Sequence, residues 1–175
     1  MRFLRVVMFL LRLIFGLTYL LSGFFKLVDP MGTQLVIQEY LTSLHLNGLD
    51  FMSAPLALIF PVLEFVIGIA ILMSLRMKYT SLIALIMTVF FTILTFVSAK
   101  FELISECGCF GEAISTDSWD SFFKNIFLTA CIVPIFLFRN KFHKVAPAPA
   151  EWTLLGTYGA VALGASLYSF INIPF

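Results

Sequence analysis

The chain has 175 residues, 61% of them hydrophobic and only 12% charged, with a formal net charge of +1. A soluble domain carries about 25% charged residues, so this chain cannot clothe a water-facing surface, and it lacks the basic footprint of a nucleic-acid binder. The length suits one domain, and three cysteines are too few for a disulfide-framework protein.

A membrane-spanning helix needs about 20 mainly apolar residues. Five runs meet that requirement: 3–25, 55–75, 79–99, 122–138 and 152–171. Each is expected to be helical, because lipid offers backbone polar groups no partner outside the helix. The first run is too long for a signal-peptide core and has no small-residue cleavage site, so it reads as a retained helix. It carries Arg12, Gly16, Tyr19, Gly23 and Lys26 at a spacing that puts all five on one face. Between the first two runs, Pro30 stops the preceding segment. Ile37, Tyr40, Leu41 and Leu44 then recur at helical spacing. They predict a short amphipathic helix on the outer membrane surface.

The second run places Glu64 at membrane depth, ~13 Å below the start of its helix at Pro55. Arg12 lies ~21 Å along its own helix from Lys26, and its long side chain is a candidate to reach toward Glu64. Charges at such depth are expensive and face a partner or a cavity. Two readings stand side by side: a structural ion pair, with Arg12 snorkelling to the surface, or a buried polar site for a quinone or a proton path. The third run carries Ser81, Ala84, Thr88, Thr92 and Thr95, and the fifth Gly156, Ala160 and Gly164. Small and hydroxyl residues of this kind serve helix packing.

Charge placement predicts the orientation. With the N-terminus in the cytoplasm, Arg2, Arg5, Arg12, Arg76, Lys78, Arg139, Lys141 and Lys144 lie inside. Only Lys26, Lys100 and Lys124 fall outside, and eight of the 10 acids join them there. The segment between the third and fourth runs is then external. It contains Cys107-Gly108-Cys109-Phe110-Gly111. On that side disulfides form and persist in bacteria. Two cysteines one residue apart close a small strained ring, and strained disulfides exchange readily. The same pair also reads as a structural disulfide, or as a soft-metal site for Cu(I) with His45 as a further ligand. Cys131, halfway down the fourth run, reads as a small hydrophobe.

Three separated patterns coincide in the chain. They are Phe15-Gly16-Leu17-Thr18-Tyr19-Leu20-Leu21-Ser22-Gly23-Phe24-Phe25-Lys26 with Asp29-Pro30; Ile37-Gln38-Glu39-Tyr40 followed by Pro61-Val62-Leu63-Glu64 and Gly68; and Cys107-Gly108-Cys109-Phe110-Gly111. Together they resemble the DoxX/MauE-like family of bacterial redox-associated membrane proteins, the last pattern its MauE branch. The resemblance covers roughly residues 10–138. It implies a four-helix membrane bundle, with disulfide formation in exported proteins for the MauE branch and association with quinol oxidases for DoxX members. It also implies that Cys107 and Cys109 are the redox pair and that Lys26 and Glu64 are polar positions in the bundle. Some relatives continue into a thioredoxin-like domain, so this chain is expected to be either a short member or a piece of a longer one.

The expected architecture is therefore all-α and polytopic: a four-helix bundle, a fifth transmembrane helix and a short amphipathic helix in the first outer loop. The expected location is the bacterial inner membrane. The leading functional expectation is a thiol–disulfide redox protein. Cys107 and Cys109 would be its catalytic residues, and exported thiol proteins or a thioredoxin-like domain its partners. Arg12, Tyr19, Lys26 and Glu64 form the candidate cofactor site, with a quinone as the candidate cofactor and no metal site assigned. Two rivals remain open: a non-catalytic assembly subunit with a structural disulfide, and a Cu(I)-handling membrane protein.

Overall fold

The computed structural model describes residues 2–101, 118–142 and 147–172. Among them the chain forms six α-helices: α1 (Arg2–Val28), α2 (Pro30–Ser43), α3 (Ser53–Met73), α4 (Met77–Phe101), α5 (Ser118–Leu137) and α6 (Ala148–Asn172). Short 3₁₀ turns lie at Asn47–Met52 and Arg139–Lys141. Five helices are long and apolar enough to cross a membrane; α2 is the exception. The chain is a multi-pass, all-helical membrane protein.

Local chemistry sets the helix ends. Asp29 and Pro30 make the sharp change from α1 to α2. The Asp29 carboxylate accepts from the Gly32 N–H at 2.9 Å, and Pro30 takes the first helical position, where a missing N–H costs nothing. The far end of α2 closes on His45, in the left-handed region at φ 58°. There the Leu46 N–H reaches the Leu41 carbonyl at 2.8 Å. Ser74 does the same for α3, at φ 57°, with Leu75 N–H bonded to Ala70 O at 2.8 Å. Both are left-handed C-terminal closures without the usual glycine.

Two helix pairs build the bundle. α1 packs against α3 more extensively than any other two helices do, at backbone contact. A Cβ on Gly23 would stand 2.5 Å from the Phe65 nitrogen, and one on Gly68 2.5 Å from the Leu20 nitrogen. No side chain larger than hydrogen fits those two crossings, which is the small-residue packing expected of membrane helices. α4 and α5 form the second pair, joined by hydroxyls: Thr92 meets Thr129 at 3.1 Å and Ser98 meets Ser118 at 3.3 Å. Phe15, Ile67, Ile71, Ala84, Leu128, Ile132 and Ile135 fill the space between the pairs. Helix α6 lies outside this four-helix core, against α3 and α1. Helix α2 packs chiefly on α3. Its Ile37–Leu44 stripe faces a cavity shared with the bundle, so the protein itself takes up the apolar face.

Candidate functional site

The cavity holds about 350 Å³, within the range of small-molecule sites. It lies between α2 and one end of the bundle: the C-terminal halves of α1 and α4 and the N-terminal halves of α3 and α5. Phe101, at the end of α4, and Ser118, at the start of α5, stand at that same end of the bundle. The segment joining them contains Cys107 and Cys109. Both cysteines lie outside the described residues.

Apolar and aromatic side chains form most of the wall, among them Ile37, Tyr40, Phe60, Phe90 and Phe91. The polar groups converge from four helices, α1, α3, α4 and α5. Lys26, on the last turn of α1, brings its Nζ to 2.7 Å from Glu64 Oε1 and 2.9 Å from Oε2. Ser22 Oγ, one turn earlier, donates to Glu64 Oε2 at 3.0 Å. Glu64 is 4% exposed, and at membrane depth its carboxylate is satisfied by two residues of α1. The Lys26 ammonium also sits 5.5 Å from the centre of the Phe91 ring, a cation–π arrangement. Charge-assisted contacts of this kind are stronger than neutral ones, and the low local dielectric raises the cost of breaking them.

Tyr19 lies one and two turns deeper than Ser22 and Lys26 on the same face of α1. Its ring stacks on Phe15 with centroids 4.4 Å apart, and its hydroxyl meets Thr88 Oγ1. Thr88 spends its own proton on the Ala84 carbonyl at 2.7 Å, so Tyr19 is the donor. On the opposite wall Asn125 donates through Nδ2 to Thr95 Oγ1 at 3.3 Å and to the Phe91 carbonyl at 3.4 Å. That leaves its side-chain carbonyl as an acceptor at the cavity wall.

Three of the four residues expected to share a cofactor site do share this cavity: Tyr19, Lys26 and Glu64. Arg12 stands elsewhere. Its Nε donates to Ile71 O at 3.0 Å and its Nη2 to Leu72 O at 2.6 Å, while Phe142 covers the guanidinium at 5.2 Å. The antiparallel crossing of α1 and α3 explains the separation. Glu64 faces the Lys26 end of α1, and Arg12 meets the C-terminus of α3, where carbonyls lack helical partners and a cation is favourable. Ser22, Asn125 and Thr95 join the site without having been expected there. An amide in the middle of an apolar run was the available signal for Asn125. Cys131 is buried in the core beside Ile132 and Ile135. Among the described residues, no group of three His, Cys, Asp or Glu side chains converges that could hold a metal ion.

The family model for methylamine utilisation protein MauE matches residues 4–138. No curated protein matches the chain, and no solved structure does. The family match runs from the first turn of α1 to just past α5 and takes in every wall of the cavity, so the chain belongs to the MauE family.

Proposed function

We propose that this protein is a thiol–disulfide redox protein of the bacterial inner membrane, with its N-terminus in the cytoplasm and the Cys107–Cys109 pair on the periplasmic side. The placement of Cys107-Gly108-Cys109 carries this reading. The motif stands in the segment joining α4 to α5, and both ends of that segment lie at the end of the bundle that holds the cavity. In the exchange, a thiolate of an exported or thioredoxin-like protein attacks one sulfur of the Cys107–Cys109 disulfide. A mixed disulfide forms, and the partner's second thiol displaces it. The partner loses two electrons and two protons and gains a disulfide, and Cys107 and Cys109 become a dithiol.

Reoxidation of that dithiol needs an acceptor. The cavity's chemistry fits a quinone ring, which when bound supplies a sink for two electrons and two protons. Phe60, Phe91 and Tyr40 provide flat apolar walls. Lys26 and the side-chain carbonyl of Asn125 supply a donor and an acceptor among few polar groups. Glu64 and Ser22 hold the Lys26 ammonium in place. Arg12 has no part in this site; it caps α3.

Trapping tests the reading. Cys107→Ser and Cys109→Ser, made singly in the full chain, should differ: one should accumulate a mixed disulfide with an exported protein, visible as a reducible band shift. If neither variant traps a partner and the double variant retains function, the redox reading falls. A pair that stays oxidised in cells and resists mild reductant would instead mark a structural disulfide.

A further inference from the structure

Lys26, Glu64 and Tyr19 lie in the buried part of the cavity, Thr18 and Lys124 line it at half-exposed positions, and its exposed lining residues are all apolar. Glu64 and Tyr19 are buried and the Lys26 side chain is 12% exposed, whereas three lining residues, Leu44 at the end of α2, Leu46 just after it and Phe90 on α4, are 38%, 44% and 49% exposed. Ile37 and Leu41 from α2 and Leu94 from α4 line the cavity as well. Phe90 stands ~16 Å along α4 from Phe101, about midway through that span. On the α4 side the mouth therefore sits at hydrocarbon depth. Ile86 and Ile93, each 60% exposed, continue the apolar surface above and below it. Helix α2 is held by α3, with smaller contacts to α1 and α6, so it forms a wall facing α4 across the gap.

We propose that the cavity is loaded sideways from the lipid, through the gap between α2 and α4, by a quinone whose apolar tail remains lying in that gap. The proposal rests on the quinone reading above and adds the route and the class of ligand. A ring without a tail would leave the apolar space lined by Ile37 and Leu94 unfilled. A ring carried by an isoprenoid chain fills that space with apolar surface and carries its carbonyls to the Lys26–Glu64 pair. The gradient along the path, hydrocarbon at the mouth and a lysine–carboxylate pair at the end, matches a ligand with an apolar tail and a polar head. Burying such a tail adds affinity in proportion to the area removed from solvent.

The test compares two ligands on the full chain in detergent: a benzoquinone with an isoprenoid tail, and the same ring without one. Wild-type protein should bind the tailed ligand at least about tenfold more tightly. Leu94→Trp on α4 and Ile37→Trp on α2 should each erase that difference, while Leu94→Ile should keep it. The two tryptophans stand on different helices, and residual binding of the tail-less ring reports that each variant has folded. A wild-type protein that binds both rings equally, or tryptophan variants that keep the full difference, would overturn the lateral route while leaving the quinone reading intact. A wild-type protein that binds neither ring would overturn both, whatever the outcome of the cysteine trapping.

Discussion

At the scale of single residues, the two charges of α1 differ most in what they meet. Arg12 and Lys26 lie on one face of the same helix, yet one caps backbone carbonyls and the other neutralises a carboxylate. The carboxylate was legible in the sequence as a membrane-depth charge in need of a partner. The choice of partner was not, because the register of α1 against α3 is set where Gly23 and Gly68 let the backbones touch. An ion pair at this burial is a poor source of stability, since the cost of removing two charges from water offsets their attraction. Removing one member is worse than removing both. Glu64→Leu should therefore lower stability by about 3 kcal/mol, and adding Lys26→Met should restore most of that loss. Thermal unfolding of the purified protein in detergent measures both. A double variant less stable than the single one would show that Lys26 and Glu64 act independently.

At the scale of elements, helix α2 and the turns around it show where local rules sufficed. Asp29-Pro30 acts as a cap and first helical residue, so the break after α1 and the start of α2 are both written in two adjacent residues. The Ile37–Leu44 stripe was legible as helical. Its destination was not, because an apolar stripe reads the same whether it meets lipid or a protein cavity, and docking against α3 decides between them. Helix ends carried a weaker signal still. The closing residues of α2 and α3 are His45 and Ser74 in left-handed conformations, which side chains bearing a Cβ adopt at a cost of about 1–2 kcal/mol. Ser74→Gly should consequently raise stability by about 0.5–1 kcal/mol, less than the full cost because glycine also loosens the unfolded chain. Ser74→Ala should give no such gain, since the Cβ stays. Unfolding midpoints of the two variants separate strain at this turn from any loss of the hydroxyl.

At the scale of the whole molecule, scarcity of charge and its distribution suffice for an arrangement in the membrane. Five apolar runs became five spanning helices because lipid leaves the backbone no other way to satisfy itself, and each helix starts a little before its run, where interfacial residues such as Ser118 still bond helically, while α3 and α5 stop just short of the ends of theirs. The bases cluster at the end of the bundle that carries Arg12, Arg76, Arg139 and Lys141, and the acids outside the spans, Glu151 excepted, fall at the other end with Asp29, Asp50 and Asp120. On the positive-inside bias, the proposed orientation has the basic end in the cytoplasm and the cavity's end of the bundle, with the segment that contains Cys107 and Cys109, toward the periplasm. The three cysteines make this arrangement measurable. After mild reduction, a membrane-impermeant maleimide added outside intact spheroplasts should label Cys107 and Cys109, and Cys107→Ser/Cys109→Ser should abolish the signal. Cys131, 2% exposed between the helix pairs, should react only after denaturation, because a thiol needs both access and a thiolate to be modified. Labelling of the pair that required the membrane to be opened first would place the acidic loops in the cytoplasm, remove the oxidising compartment from reach, and overturn the proposed exchange with exported proteins.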